Sequence, residues 1–191
     1  MTGATALQIP GYVAGTWDFD PAHTYVGFVV RHLVVTKVRG RFETVEGHIV
    51  TAENPLDSTV EVSVDLNSVN TNNETRDNHL RSADFFEVEA YPRMTFRSTG
   101  IRQDGADFVL DGELTIKDVT RPISLPFEFA GVTTDPWGGT RLGVSAQGEI
   151  NRRDFNINFG GLQDGLAVVA DKIELVLDVE ATLRKDDAPV S

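Results

Sequence analysis

Residues 60–66 read Val60-Glu61-Val62-Ser63-Val64-Asp65-Leu66, apolar and polar in strict alternation. Successive side chains of a strand point to opposite faces, so Val60, Val62, Val64 and Leu66 share an apolar face while Glu61, Ser63 and Asp65 face water. The same period recurs on both sides of this stretch. Phe108, Leu110, Gly112, Leu114 and Ile116 oppose Val109, Asp111, Glu113 and Thr115, and Ile173, Leu175, Leu177 and Val179 oppose Glu174, Val176, Asp178 and Glu180. In Thr24–Leu33, Val26, Phe28, Val30 and His32 lie on one face and Gly27, Val29, Arg31 and Leu33 on the other, which makes that strand apolar on both sides.

Turn-forming pairs separate these strands: Asn54-Pro55, Asp104-Gly105, the run Asp135-Pro136-Trp137-Gly138-Gly139, and Asp164-Gly165. Asp118–Pro122 reads as a tight link to a further strand over Ile123–Phe129. Short local connections predict an all-β, antiparallel fold, and closure into a barrel is preferred to a sandwich because it removes exposed edges. A barrel of about eight strands is either filled by its own side chains or holds one small ligand.

The chain of 191 residues suffices for one core and is short for two. One domain is therefore expected over residues 16–184, between a loose N-terminal segment (1–15) and a loose tail (185–191). No stretch reaches the roughly 18–20 consecutive apolar residues that a membrane-spanning helix needs. The first residues carry no basic and then apolar run of a secretory signal, so the cytoplasm is the expected location. With 17 basic and 29 acidic residues the net charge is −12, which repels nucleic acid and anionic lipid surfaces. The absence of cysteine excludes disulfides, thiolate nucleophiles and cysteine metal clusters.

One block breaks the strand pattern, TNNETRDNHLRSADFFEVEAYPRMTF over Thr71–Phe96. Asn73–Ala83 within it predicts a helix, capped by Asn or Thr, that is too short and polar to bury a broad face. Its place is across an end or a seam of the sheet. The four histidines lack ligand spacing, and no metal is expected; Asp20 and His23 are read as fixing the turn before the first long strand. Neither a GxSxG elbow nor a phosphate-binding glycine loop is present, so neither a serine nucleophile nor a nucleotide cofactor is expected. Asp77 and His79 offer acid–base chemistry in principle, but two residues apart on a helix they do not face each other. The 11 phenylalanines, against 2 Trp and 3 Tyr, supply large apolar surface with no polar handle. They either fill the barrel or line a tunnel, and periodicity does not separate the two.

Several motifs then follow in a specific order: Trp17-Asp18-Phe19-Asp20-Pro21-Ala22-His23-Thr24, Phe28-Val29-Val30-Arg31-His32-Leu33, and Gly40-Arg41-Phe42 with Gly47 beyond. Next come Thr71, Arg76–Ser82, Asp84-Phe85-Phe86, Tyr91-Pro92 and Phe96, then Gly112–Pro122 and Ile150–Phe155. In this order the chain resembles the YceI-like proteins, a lipocalin-like group associated with polyisoprenoid binding, from Trp17 to Leu183. It departs from their pattern at Asp118 and Asn156, where glycine is common.

The resemblance implies an extended lipocalin-like barrel with the helix packed against it and a long pocket for an isoprenoid chain, of the polyprenyl pyrophosphate or isoprenoid quinone type. Binding, carriage or storage without catalysis is the function it implies. The expected lining is Val26, Phe28, Val30, Phe42, Phe96, Leu114, Phe127, Phe129, Phe155 and Ile173. His32, His79, Leu80, Phe85 and Phe86 are expected beside it. Arg76, Arg81, Arg152 and Arg153 are candidates for a pyrophosphate, since guanidinium matches phosphate oxygens in pairs. A quinone or alcohol would need one hydrogen bond, from His32, His79 or Tyr25. The alternatives are an enzyme using His79 and Asp77, or a filled barrel acting through its surface. A homodimer is compatible with the likeness.

Overall fold

The structure, a computed structural model, describes residues 9–160, 162–163 and 166–187. Its strands are β1 (Gly15–Phe19), β2 (Tyr25–His32), β3 (Thr36–Phe42), β4 (Val45–Thr51), β5 (Thr59–Asp65), β6 (Val69–Asn70), β7 (Arg93–Asp104), β8 (Asp107–Ile116), β9 (Val119–Thr134), β10 (Thr140–Asn151), β11 (Leu162–Gln163), β12 (Leu166–Ala167) and β13 (Val169–Leu183). One α-helix, α1 (Glu74–Arg81), lies among them.

Three pairs of these strands are halves of single bent staves. β1 pairs with the end of β13, Trp17 opposite Leu183, while β2 pairs with its earlier part, Val26 opposite Leu177. The bend between them is the turn at Asp20, whose carboxylate accepts from the Ala22 amide and the His23 ring. β3 and β4 bend at Glu43-Thr44, and β5 and β6 bend at a short 3-10 turn, Leu66–Ser68. The hydrogen-bonded ring runs β1-β4-β5-β7-β8-β9-β10-β13 and returns to β1, an antiparallel barrel closed by eight strands.

The ring is looser at the end where α1 lies. There β6 pairs only with Arg41 and Phe42 of β3, and α1 packs on its other side, so the polar helix does lie at a seam. Residues 36–40 of β3 pair with β2 alone. β9 and β10 also separate beyond the pair Phe127–Ala146, and the 3-10 turn Arg152–Phe155 fills the gap with a fully buried Phe155. Phe155 packs with Phe85, Leu114, Ile116 and Ile157 as a small core apart from the main one around Trp17, Leu66, Val69 and Leu142.

Local chemistry explains the differences from expectation. The helix is shorter than 73–83. Asn73 caps it, accepting from the Arg76 amide, and the extended backbone of Ser82 ends it. The link between β8 and β9 is only Lys117-Asp118, and Val119–Pro122 already pairs with β8. Pro122 and Pro126 are tolerated because that part of β9 has no second strand beside it. Of the leading segment, residues 1–8 lie outside the described residues. In the remainder Tyr12 donates its hydroxyl to the Ala52 carbonyl at 2.7 Å and the Val13 carbonyl accepts from Thr51 at 2.7 Å. In the tail, Lys185–Asp187 form a 3-10 turn and Asp187 accepts from the Thr16 amide, whereas 188–191 and the turn pair Asp164-Gly165 lie outside the described residues.

Two arginines tie the ends of the barrel. Arg152, 3% exposed, donates to the backbone carbonyls of Ile157 (2.8 Å), Phe159 (2.6 Å), Ala170 (3.0 Å) and Val169 (3.3 Å), and burial holds its guanidinium below its usual basicity. Arg141 donates to Asp20 (2.5 Å), Glu180 (2.6 Å) and Asp135 (2.8 Å), joining the β1–β2 bend, β13 and the β9–β10 turn. Replacing Arg152 by Ala strands four carbonyls and should cost about 3–5 kcal/mol in urea unfolding, the scale for one partner lost from a buried charged network. A loss under about 1 kcal/mol would show that the cradle does not hold this end. Hydrogen bonds from His23 and then Arg141 lower Asp20 from an ordinary 3.8 to about 2. The unfolded chain therefore takes up this proton first. The contribution is present above 3.8 and fades as pH falls toward about 2. Asp20→Asn should lose less melting temperature than the parent over that interval, and equal losses would remove Asp20 from the acid response.

Candidate functional site

The inward faces enclose an elongated cavity of ≈ 220 Å³. Its wall on β8 is Phe108, Leu110, Leu114 and Ile116, the apolar face of one continuous alternation, and β13 contributes Leu175, Leu177 and Val179. Val60, Val62 and Val64 of β5 and Leu142, Val144 and Ala146 of β10 continue it. One end is bounded by Ile9, Tyr12, Pro55 and Leu56, and the helix end by Phe28, Ile116, Ile123 and Ile150. Phe108, Leu110, Phe127, Phe129 and Leu177 stay only half-buried although they point inward, which a filled barrel would not allow.

Four inward positions of the wall carry no large side chain, and their neighbours lie over them. A Cβ on Gly40 would fall 2.3 Å from the Phe28 ring, on Gly112 2.3 Å from Phe96, on Gly47 2.7 Å from Phe19 and on Gly148 2.5 Å from a Leu125 methyl. These bulky groups are thus flat against the wall instead of meeting on the axis.

Chemically the site is a surface for hydrocarbon. No Asp, Glu, His, Lys or Arg is among its described lining residues. Of its hydroxyls, Tyr12 donates to the Ala52 carbonyl and meets Ser58, and Thr51 donates to the Val13 carbonyl and accepts from the Trp17 indole at 2.8 Å. Among the described residues no buried side-chain polar atom lacks a partner.

Of the expected lining residues, Val26, Phe28, Phe42, Phe96, Leu114, Phe127 and Phe129 border the cavity. Val30 and Ile173 do not. They pair with each other one inward row past Phe28, where Ile150 opposes Ile173, and His32 ends β2 a further row on. Phe155 is the plug beneath the cavity and not part of its wall. Phe86 packs on Phe42 (centroids 5.8 Å apart), and Leu80 bridges both cores. His79 stands edge-on to Phe85 and Phe159 outside the cavity, with Nε2 2.8 Å from Asp84. Asp77 is buried and accepts from the amide and hydroxyl of Thr71, so the structure does not join it to His79.

None of the four arginine candidates reaches the cavity. Arg76 donates to Thr71, Arg81 to the carbonyls of Asn67 and Val69, Arg152 to its carbonyl cradle, and Arg153 to Asp171. Tyr25 lies on the outer face, its ring over Gly27. The lining residues that the sequence reading missed include Phe108, Leu110, Leu175 and Leu177, whose alternation was visible, and Ile9 and Tyr12, which no periodic pattern marks. One cluster with ligand-like spacing occurs at the barrel rim, Asp20, His23 and Glu180, whose donor atoms lie within 4.8 Å. Arg141 donates to both of its carboxylates, so a guanidinium already supplies the positive charge.

Comparison with known proteins agrees with this architecture. The chain is 37% identical to "Protein YceI" of Escherichia coli O157:H7 over 169 residues, covering 88% of this chain and 86% of that protein. The Campylobacter jejuni YCEI crystal structure superposes with a TM-score of 0.70 at 33% identity, covering 81% of this chain and 90% of that one. A polyisoprenoid binding domain from Saccharophagus degradans, implicated in plant cell wall breakdown, shares the fold with a TM-score of 0.68 at 18% identity over 90% of this chain and 99% of that one. Asn156 adopts φ 57°, a left-handed conformation that asparagine accepts more readily than most residues. A YceI-like domain matches residues 17–181, and the chain belongs to the YceI-like family.

Proposed function

We propose that the protein binds and carries an isoprenoid lipid, its hydrocarbon chain lying along the barrel axis. The observation that carries this reading is a long cavity whose described lining includes no Asp, Glu, His, Lys or Arg and whose inward side chains keep accessible surface. Family membership and the fold shared with a polyisoprenoid binding domain point the same way. A five-carbon unit leaving water contributes roughly 4 kcal/mol gross, at about 0.8 kcal/mol per carbon. Three or four such units offset an association cost of about 4–15 kcal/mol.

The wall favours a neutral head group. A pyrophosphate needs cationic donors, and Arg76, Arg81, Arg152 and Arg153 are all committed elsewhere and outside the cavity. An isoprenoid alcohol can donate its single hydrogen bond to the Tyr12 or Ser58 hydroxyl oxygen at the end opposite the helix, whereas a quinone carbonyl can accept one only where a hydroxyl there turns from its present partner. The same wall, with no Asp, Glu, His or Lys among its described lining residues to act as a general base, supports binding without chemistry.

Organic extraction of the purified protein followed by mass spectrometry should recover an isoprenoid lipid. Recovery of none, with no uptake of an added isoprenoid quinone, would overturn the reading. Gly40→Ala and Gly148→Ala act chiefly on the cavity, because the tightest contacts of their new methyls are with the Phe28 ring and the end of Leu125, which they push toward the axis. Each should weaken quinone binding at least tenfold, while its unfolding free energy drops by no more than the ~1–3 kcal/mol of overpacking. Unchanged binding in both would place the ligand elsewhere.

A further inference from the structure

Residues 21–42 carry four cations, Arg31, Lys37, Arg39 and Arg41, and no Asp or Glu, in a chain of net charge −12. They form the β2–β3 hairpin, whose tip is Leu33-Val34-Val35. The tip is 36%, 59% and 81% exposed along its three residues. Leu33 and Val34 also have φ of 50° and 62°, a left-handed conformation that is a marked outlier for a β-branched residue. The β7–β8 and β9–β10 turns meet the same demand with Gly105 and Gly138. Below the tip, Arg31 stands directly opposite Lys37, a repulsive pair.

Arg31, Lys37 and Arg39 are exposed and make no ion pair among the described residues. Of the acids on neighbouring β13, Asp171 is engaged by Arg152 and Arg153, and Glu174 opposes Val29. Cations on the free margin of β3 would discourage edge-to-edge pairing, which accounts for Lys37 and Arg39. It does not account for three aliphatic side chains held in water on a strained turn.

We propose that this hairpin docks on an anionic phospholipid membrane. Leu33, Val34 and Val35 enter the boundary between head groups and acyl chains, and Arg31, Lys37 and Arg39 lie on the lipid phosphates. The net negative charge does not forbid this, because charges beyond a Debye length of about 8 Å are screened at physiological salt. Docking sets the helix end of the barrel against the bilayer. From the tip, the inward row of Val30, Val38, Ile150 and Ile173 leads to Phe28 at the end of the cavity, an apolar path for a hydrocarbon chain. The docking surface stands without an assigned cargo, and only its role in loading rests on the lipid-carrier reading.

The test is sedimentation of the solvent-extracted full chain with phosphatidylcholine vesicles, with and without phosphatidylglycerol. The parent should pellet with the anionic vesicles at low salt, release at high salt, and stay in solution with the neutral ones. The double variant Val34→Asn, Val35→Ser and the triple variant Arg31→Gln, Lys37→Gln, Arg39→Gln should each bind at least tenfold more weakly. Asparagine accepts the left-handed turn, so the first variant should melt no lower than the parent. Failure of the parent to bind, equal binding to both vesicle types, or parent-like binding by both variants overturns the proposal. So does a parent dimer, seen without vesicles and lost in the variants, which would assign the hairpin to a second copy of this chain. Mass spectrometry of extracts tests the cargo separately, so absence of an isoprenoid leaves the vesicle result intact.

Discussion

The barrel is hollow in part because four of its bulky inward groups lie sideways. Phe28, Phe96, Phe19 and Leu125 each cover an inward glycine of an adjacent or nearby strand, at Gly40, Gly112, Gly47 and Gly148. An aromatic ring over a strand glycine replaces packing that the glycine cannot supply. Each pair therefore does two things: it seals a thin patch of wall and keeps a large side chain off the axis. With larger residues at those four positions the same phenylalanines would interdigitate as in an ordinary core, and the eight-stranded ring would have no room for a ligand.

This accounts for what could be read from the chain and what could not. The alternation in Val60–Leu66 and Phe108–Ile116 identified strands and their inward faces, because a one-residue slip would expose the whole apolar set. Short hairpins and the ordered motifs both pointed to the barrel, and the short, polar helix pointed to an end or a seam. Whether the inward face met a partner or empty space depends on where Phe28 and Phe96 rest, and that is set by strand register. Register also decided that Val30 and Ile173 sit one row past the cavity and that Phe155, on a 3-10 turn, fills the gap where β9 and β10 separate. The arginines misled for a different reason: a guanidinium suited to phosphate is equally suited to a cluster of backbone carbonyls, as at Arg152.

Charge shows the same contrast between total and arrangement. The excess of acid over base describes the molecule as a whole, yet the hairpin of β2 and β3 is locally basic, and Arg141 concentrates three carboxylates around one cation at the rim. Cations in the body of the barrel mostly fasten bends and turns. Those of the hairpin project outward on either side of an apolar tip, and that difference in placement separates structural from surface roles.

The pairing of Trp17 with Leu183 has a consequence for synthesis. The first stave cannot find one of its two neighbours until residue 183 has left the ribosome, so a sheet begun by β1 and β4 would keep an open flank until then. Closure joins residues far apart in the chain, a slow step that leaves hydrocarbon-lined strands exposed to other nascent chains. A chaperone that holds the growing polypeptide, or a lipid that enters as the last stave arrives, would shorten that interval.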